Sequence, residues 1–443
     1  MVRRVVVLGG GSTGEAFCAA LRRLDPEIPI TLVERELVGG ECSYFACVPS
    51  KTLLRAPEVL AAARIAPGAS EAVTGALDLE RVFWWRDQVV DGHDDSGHER
   101  WLADRKIELV RGAARVVEPG VVEAGGRLIE YDKLLVATGS SAAIPPVQGL
   151  DEVDYWTTRE ATSASAVPAS LVVLGGGVAG CELAQLYRRL GAEVALVQRR
   201  DRLMPRVDAA AAELLREAFE DEGIDLRLGA GVERVARSNG GVRVGLAGGS
   251  AIEAERLLVA SGRRPNVEGL EPLGLTVTDR GIETDEYLQA GDNVWAAGDV
   301  TGVALFTHVG KYQARVAASN VAGLRVPADY RAIPAAAFTD PQVAQVGTVE
   351  GEGLVSSEWR IDRTSRTSTY EHPKRKGFVK LVADPDRRVL VGAVAVGPEA
   401  GEWLGQLTLA IRAEVPVQVL RDTIQPYPTF SEAIHFAARD LPV

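Results

Sequence analysis

The chain has 443 residues, 46% of them hydrophobic, and a formal charge of −12. At about 100 to 200 residues per domain it should hold two to four domains, and its acidic balance excludes a general attraction to nucleic acid phosphates, which needs clustered Lys and Arg. Its four cysteines are too few for the disulfide framework of a small secreted domain, and nothing approaches the run of about 18 apolar residues that spans a membrane.

The N-terminus, MVRRVVVLGGG, imitates a signal peptide, but its apolar run ends in glycines and Glu15 follows, so the expectation is a soluble cytoplasmic protein. Val5-Val6-Val7-Leu8 reads as a parallel strand buried on both faces. It runs into Gly9-Gly10-Gly11-Ser12-Thr13-Gly14, a G-x-G-x-x-G loop in which Gly9, Gly11 and Gly14 allow a tight turn and a close approach to a pyrophosphate. Helix-compatible residues follow from Glu15 to Leu24, and a second strand, Ile30–Val33, ends at Glu34. About 20 residues past such a loop, an acid is placed to accept hydrogen bonds from an adenosine ribose.

Next comes Gly39-Gly40-Glu41-Cys42-Ser43-Tyr44-Phe45-Ala46-Cys47-Val48-Pro49-Ser50-Lys51, which holds two of the four cysteines. A structural disulfide, an incomplete zinc site and a redox pair all compete for this stretch. Phe83-Trp84-Trp85 is expected to pack within the surrounding domain. The segment from Asp91 to His98 sets His93 and His98 around Asp94 and Asp95, and it reads as a hydrated loop or helix end because the spacing fits no standard metal site.

The strand, loop and helix pattern then recurs. Leu171–Leu174 leads into Gly175-Gly176-Gly177-Val178-Ala179-Gly180, whose Gly175, Gly177 and Gly180 repeat the loop, and a helix to Leu190 precedes the strand Val194–Val197. This strand ends in Gln198-Arg199-Arg200 rather than an acid. Guanidinium groups bind a 2′-phosphate that a carboxylate would repel, so Arg199 and Arg200 predict NADPH here, with NADH as the lesser possibility. Near the C-terminus the basic run Lys374-Arg375-Lys376 reads as a solvated turn, and His372 and His435 carry no argument.

Together with Ala137-Thr138-Gly139, Ser261-Gly262-Arg263-Arg264-Pro265-Asn266, Ala296-Ala297-Gly298-Asp299 and Phe338-Thr339-Asp340-Pro341, these motifs make the chain resemble the pyridine nucleotide-disulfide oxidoreductases over nearly its whole length. That family includes glutathione reductase, dihydrolipoamide dehydrogenase and mercuric reductase. The resemblance implies an α/β protein with two Rossmann-like dinucleotide-binding domains and a C-terminal α+β dimerisation domain. It implies an FAD-binding domain over 1–147, completed by 263–330, an NAD(P)H-binding domain over 148–262 and a dimer-interface domain over 331–443. FAD would occupy the first loop, with Thr138, Gly139 and Gly262 among its contacts and Asp299 on its ribityl chain, and the nicotinamide nucleotide would occupy the second. Cys42 and Cys47 would be the redox pair, Cys47 facing the flavin and Cys42 exchanging with the acceptor, while Lys51 would pair with Glu182. On this context a structural bridge closing so short a loop constrains little chain. A zinc site lacks two further ligands, since Cys18 and Cys181 lie in the glycine-loop helices. No metal is expected as a resident cofactor.

The match breaks near the end. The family's His-Pro-Thr-x-x-Glu is here Tyr427-Pro428-Thr429-Phe430-Ser431-Glu432, so the proton-shuttling histidine of the partner subunit becomes Tyr427 while Glu432 is kept. Free phenol titrates about 3.5 units above free imidazole, roughly 5 kcal/mol in proton affinity, which makes a poor base at neutral pH. Exchange with soluble disulfides is therefore expected to be slow or altered. Mercuric reductases resemble this chain in their tyrosine, yet the last residues, Ala438–Val443, carry no cysteine pair and no cysteine-bearing extension stands at the front, so mercury is not expected as the natural substrate. The expected enzyme is a homodimeric flavoprotein passing hydride from NADPH through FAD to Cys42 and Cys47 and on to a small disulfide or other thiol-reactive acceptor. The alternatives are a metal-ion or quinone reductase, a dihydrolipoamide dehydrogenase, and a flavin-bearing binding protein of low turnover.

Overall fold

The computed structural model describes residues 4–370 and 376–443. The first three residues, His372, and Lys374 and Arg375 of the basic run lie outside the described residues, while Lys376 pairs with Glu217 at 2.5 Å. Two compact units form. One comprises Met1–Thr52, Phe83–Ala143 and Gly262–Asp329, and the other Leu53–Val82, Ile144–Ser261 and Tyr330–Val443.

The first unit is built on a six-stranded sheet. Val5–Leu8 lies inside it, parallel to Ile30–Glu34 on one side and to Lys133–Val136 on the other. Because successive side chains point to opposite faces, Val5 and Val7 join one core with Phe17, Leu21 and Leu32, while Val6 and Leu8 join another with Val33, Leu134 and Val136. Two buried faces explain why the strand reads as an unbroken apolar run. Beyond Lys133–Val136 the sheet continues with Val294–Ala296, whose antiparallel neighbour Gln289–Gly291 forms the edge.

The glycine-loop helix of this unit, Ser12–Leu24, packs along the helix Thr307–Val321. Gly310 makes the approach possible, since a Cβ there would stand 2.3 Å from the Thr13 hydroxyl. The helix begins three residues ahead of the expected Glu15, at Ser12, because Gly11 in extended conformation (φ −69°, ψ 179°) is its N-cap.

In the second unit, Ser170–Leu174 and Glu193–Gln198 lie in a four-stranded parallel sheet with Asp225–Leu228 and Arg256–Val259, and the helix Val178–Leu190 follows the second glycine loop. A five-stranded antiparallel sheet follows in sequence, running Pro334–Ala337, Gln342–Gly347, Val389–Gly397, Phe378–Asp384 and Val355–Arg360. Leu381, Ala393 and Ala395 of that sheet share a core with Trp403, Leu404 and Leu407 of helix Ala400–Arg412 and with Ile434 and Ala437 of helix Ser431–Asp440.

One packing expectation is corrected. Of the Phe83-Trp84-Trp85 cluster only Phe83 is buried, while Trp84 and Trp85 are 45% and 53% exposed. On the helix Leu79–Val89 each residue is turned about 100° from the last, so three in a row span about 200° and cannot all lie on the buried stripe that holds Val82, Phe83 and Arg86. Among the described residues no helix is long and apolar enough to cross a membrane.

Candidate redox site

Both glycine loops are built by the same contacts. At Gly9 (φ +104°) a Cβ would lie 2.3 Å from the Ala137 carbonyl oxygen, and at Gly14 it would lie 2.0 Å from that of Gly9. Gly175 (φ +115°) and Gly180 repeat this at 2.4 Å from the Ala260 oxygen and 1.9 Å from the Gly175 oxygen. Only hydrogen fits at these four positions. The middle glycines differ in purpose, for a Cβ at Gly11 would meet nothing nearer than Gly40 Cα at 3.9 Å, and one at Gly177 would meet nothing within 4 Å. Their open faces, beside helix N-termini without side-chain caps, suit a diphosphate backbone approaching closely.

Glu34 reaches the first loop. Its Oε2 accepts from the Gly10 N–H at 2.7 Å and its Oε1 from the Glu36 N–H at 2.7 Å, and a carboxylate so held keeps lone pairs for sugar hydroxyls. Gln198 stands at the matching place in the second loop, where a Cβ on Gly176 would come within 3.2 Å of its Cβ. It donates to the Arg202 carbonyl at 3.4 Å, and Arg199 and Arg200 beside it are exposed.

The remaining first-unit positions form a connected polar set. Ser140 donates to Asp299 Oδ2 at 2.6 Å and accepts from Arg263 Nε at 2.7 Å, with Arg263 3.8 Å from Asp299 and 3.9 Å from Glu41. The Thr138 hydroxyl donates to the Asn266 carbonyl at 2.6 Å, and the Asn266 amide donates back to the Thr138 carbonyl at 2.9 Å. Gly139 (φ +70°) and Gly262 (φ +140°) flank the resulting crossing, and a Cβ on Gly139 would meet nothing within 4 Å. Sequence reading did not mark Ser140, and it took Asn266 only as the end of a motif; both meet through the antiparallel pairing of Ser140–Ala142 with Arg263–Pro265.

The cysteine segment docks onto the first loop. Gly39 N–H donates to the Gly10 carbonyl at 2.8 Å, and Gly40 lies so close that its Cβ would be 2.8 Å from Gly11 Cα. Cys42 falls in the short helix Gly40–Tyr44, and Cys47 opens the longer helix Cys47–Ile65. All four cysteines are free thiols. The Thr307 hydroxyl, at the start of its own helix, donates to Cys42 Sγ at 3.0 Å and lies 3.4 Å from Cys47 Sγ, bracketing both sulfurs. The Cys42 thiol is held well above the ordinary range, first by its hydrogen bond with Cys47 and then by burial, as expected where two sulfurs share one proton-poor site. Cys18 and Cys181 are fully buried, and burial pushes both thiols up. Thr307 escaped sequence reading because a single hydroxyl gives no signal until its segment meets Cys42 and Cys47, some 260 residues earlier in the chain.

Lys51 belongs to the first unit and Glu182 to the second. Lys51 Nζ donates to the Ser50 hydroxyl at 3.4 Å, while Glu182, 3% exposed, accepts from the Phe338 N–H at 2.8 Å. Tyr427 is 72% exposed. Glu432, in the first turn of Ser431–Asp440, keeps Oε2 buried without a hydrogen-bond partner among the described residues. No group of three or more His, Cys, Asp or Glu among the described residues is arranged to hold a metal ion.

Two glycine loops of this construction, with a pair of thiols seated on one of them, define a flavin- and nicotinamide-dependent oxidoreductase. The family model described as pyridine nucleotide-disulphide oxidoreductase matches residues 3–322, and the model of that family's dimerisation domain matches residues 333–438. The chain is 33% identical to a mercuric reductase of Staphylococcus aureus, covering 97% of this chain and 81% of that one. It is also 33% identical to dihydrolipoyl dehydrogenase 2 of Haloarcula marismortui, covering 98% and 95%. The crystal structure of LpdA from Mycobacterium tuberculosis superposes with a TM-score of 0.89 at 27% identity, covering 99% of each chain. The chain belongs to the pyridine nucleotide-disulphide oxidoreductase family, and as a member it uses FAD and a nicotinamide nucleotide.

Proposed function

We propose that this enzyme takes reducing equivalents from NADPH, stores them as the dithiol of Cys42 and Cys47, and delivers them to a small disulfide or other thiol-reactive acceptor, working in the cytoplasm as a homodimer. The observation that carries this reading is the bracketing of both sulfurs by one Thr307 hydroxyl on a segment hydrogen-bonded to the first glycine loop. FAD, when bound, supplies the two-electron relay between nicotinamide and sulfur.

Gly9, Gly11, Gly14 and Glu34 would hold the FAD pyrophosphate and ribose, with Thr138, Gly139, Gly262 and Asp299 along the rest of the cofactor. The open face at Gly11 and the anchored Glu34 carboxylate fit such a group. Gly175, Gly177 and Gly180 would hold the NADPH pyrophosphate, and the exposed Arg199 and Arg200 its 2′-phosphate. In the exchange step, Cys42 thiolate attacks an acceptor disulfide and releases one thiol, and Cys47 then attacks the Cys42 sulfur, releasing the second thiol and restoring the internal disulfide. Lys51, one turn after Cys47, adds positive charge that favours thiolate. Glu182 is the buried acid that the reading assigns to the nucleotide-side helix. In a homodimer, Tyr427 and Glu432 of each subunit would serve the cysteine pair of the other.

Mercuric reductases among the relatives, and Tyr427 in place of histidine, favour a second reading in which the same dithiol reduces a metal ion. NADPH oxidation measured against disulfides, quinones and metal salts, for wild type and Cys42→Ser, separates the two. Loss of all acceptor activity in Cys42→Ser supports dithiol chemistry, and undiminished activity rejects it. A wild type that turns over metal salts but no disulfide selects the second reading. Tyr427→His should raise turnover with soluble disulfides alone.

A further inference from the structure

The segment from Asp91 to His98, a solvated loop on sequence grounds, lies against the cysteine segment instead. His93 stacks on Phe45 at 5.1 Å between centroids and on Tyr44 at 6.0 Å, and His98 meets the Tyr44 ring edge-on at 6.0 Å. His98 Nδ1 is 2.6 Å from Glu15 Oε1, and its Nε2 abuts Gly39, where a Cβ would come within 3.1 Å. Glu15 sits in the first turn of Ser12–Leu24, the helix that packs along Thr307–Val321. There Lys311 follows Thr307 by four residues, hence on the same face, and its charge acts on both Cys42 and Glu15.

We propose that Lys311, Glu15 and His98 are positioning residues that form a charge triad governing how the thiolate of Cys42 responds to pH, a role that rests on Cys42 being the exchange thiol. Lys311 favours the thiolate. The Glu15 carboxylate opposes it by competing for Lys311. When His98 is protonated it neutralises Glu15, and the field of Lys311 is left to the sulfur. Falling pH thus lowers the proton affinity of Cys42, and the thiolate fraction declines less steeply than for an isolated thiol. Burial holds the Glu15 carboxyl above the usual range against the influence of His98 and Lys311, so its own protonation acts in the same direction.

The neighbouring charges do not mask this response. Asp91, Asp94, Asp95 and Glu15 all face Tyr44, and together with burial, the larger cause, they push its phenol up to about 12, so it stays neutral. Asp95 is matched by Arg111 at 2.5 Å, which also holds Glu99 at 2.6 Å. Next to Cys42 itself stand Cys47 and Thr307. The triad matters here because the family's histidine is absent at Tyr427.

The test is iodoacetamide labelling of Cys42 in the NADPH-reduced holoenzyme, followed by mass spectrometry from about pH 5 to pH 9, where the labelling rate follows the thiolate fraction. At neutral pH, K311M should slow labelling by about three- to tenfold and E15Q should speed it by a similar factor, a shift of about half to one pKa unit. K311R should label like wild type. H98Q should slow labelling only on the acid side, steepening the profile. A purely structural disturbance moves K311M and E15Q the same way, and that result, or superimposed profiles, overturns the triad. If Cys42→Ser incorporates label at the wild-type rate, the exchange-thiol assignment fails instead, whatever the triad variants do.

Discussion

The two glycine loops share a backbone and part company at the end of one strand. Each has a first glycine pressed on a neighbouring carbonyl, a last glycine pressed on the first, and an open middle glycine. After Ile30–Glu34 the chain presents a carboxylate tied to Gly10; after Glu193–Gln198 it presents an amide and two exposed guanidiniums. The loop geometry is therefore shared, and on the proposed function the strand-end residue is what sorts one dinucleotide from another. Each loop also holds a later segment on the carbonyl of its second glycine, Gly39 on Gly10 and Met204 on Gly176, and the segment on the first loop is the one that brings Cys42 and Cys47.

Substitutions that exploit the shared backbone should have the largest effects. Gly14→Ala forces a Cβ to 2.0 Å from a carbonyl oxygen and Gly180→Ala forces one to 1.9 Å, each costing about 1–3 kcal/mol or more by overpacking. Gly14→Ala should yield protein with little flavin absorbance, whereas Gly180→Ala should keep its flavin and lose NADPH binding by calorimetry. Identical losses in both variants would break the assignment of one cofactor to each loop. Next in size, Arg199→Ala with Arg200→Ala removes charge-assisted hydrogen bonds of about 1.5–3 kcal/mol each. KM for NADPH should rise at least tenfold while KM for NADH stays put, and equal changes would show that the arginines do not read the 2′-phosphate. The smallest effect is expected of Glu34→Gln, where an amide still accepts hydrogen bonds. A loss of about 1 kcal/mol should appear as several-fold faster release of FAD on dilution.

The loops were legible because glycine is informative by omission. A spacing that puts hydrogen where a Cβ would hit Ala137, Gly9, Ala260 or Gly175 marks a backbone approach that no other residue permits. The two-sided burial of the first strand was legible for a related reason, as Val5–Leu8 is apolar at every position and so must be covered on both sides. Thr307 and Ser140 were not legible, since a hydroxyl acquires its role only when distant segments meet. The pairing of His98 with Glu15 failed for the same reason, with 83 residues of chain between them. Trp84 and Trp85 misled because three adjacent aromatics cannot all face inward on one helix.

The way the sheet of the first unit is threaded governs the order in which the protein can be born. Its strand Lys133–Val136 waits for Val294–Ala296, while Ser170–Leu174, Glu193–Gln198, Asp225–Leu228 and Arg256–Val259 are all made in between. At about 5–20 residues per second of synthesis, that interval is on the order of ten seconds. All four strands of the second parallel sheet are therefore synthesised before the chain holds every strand of the first.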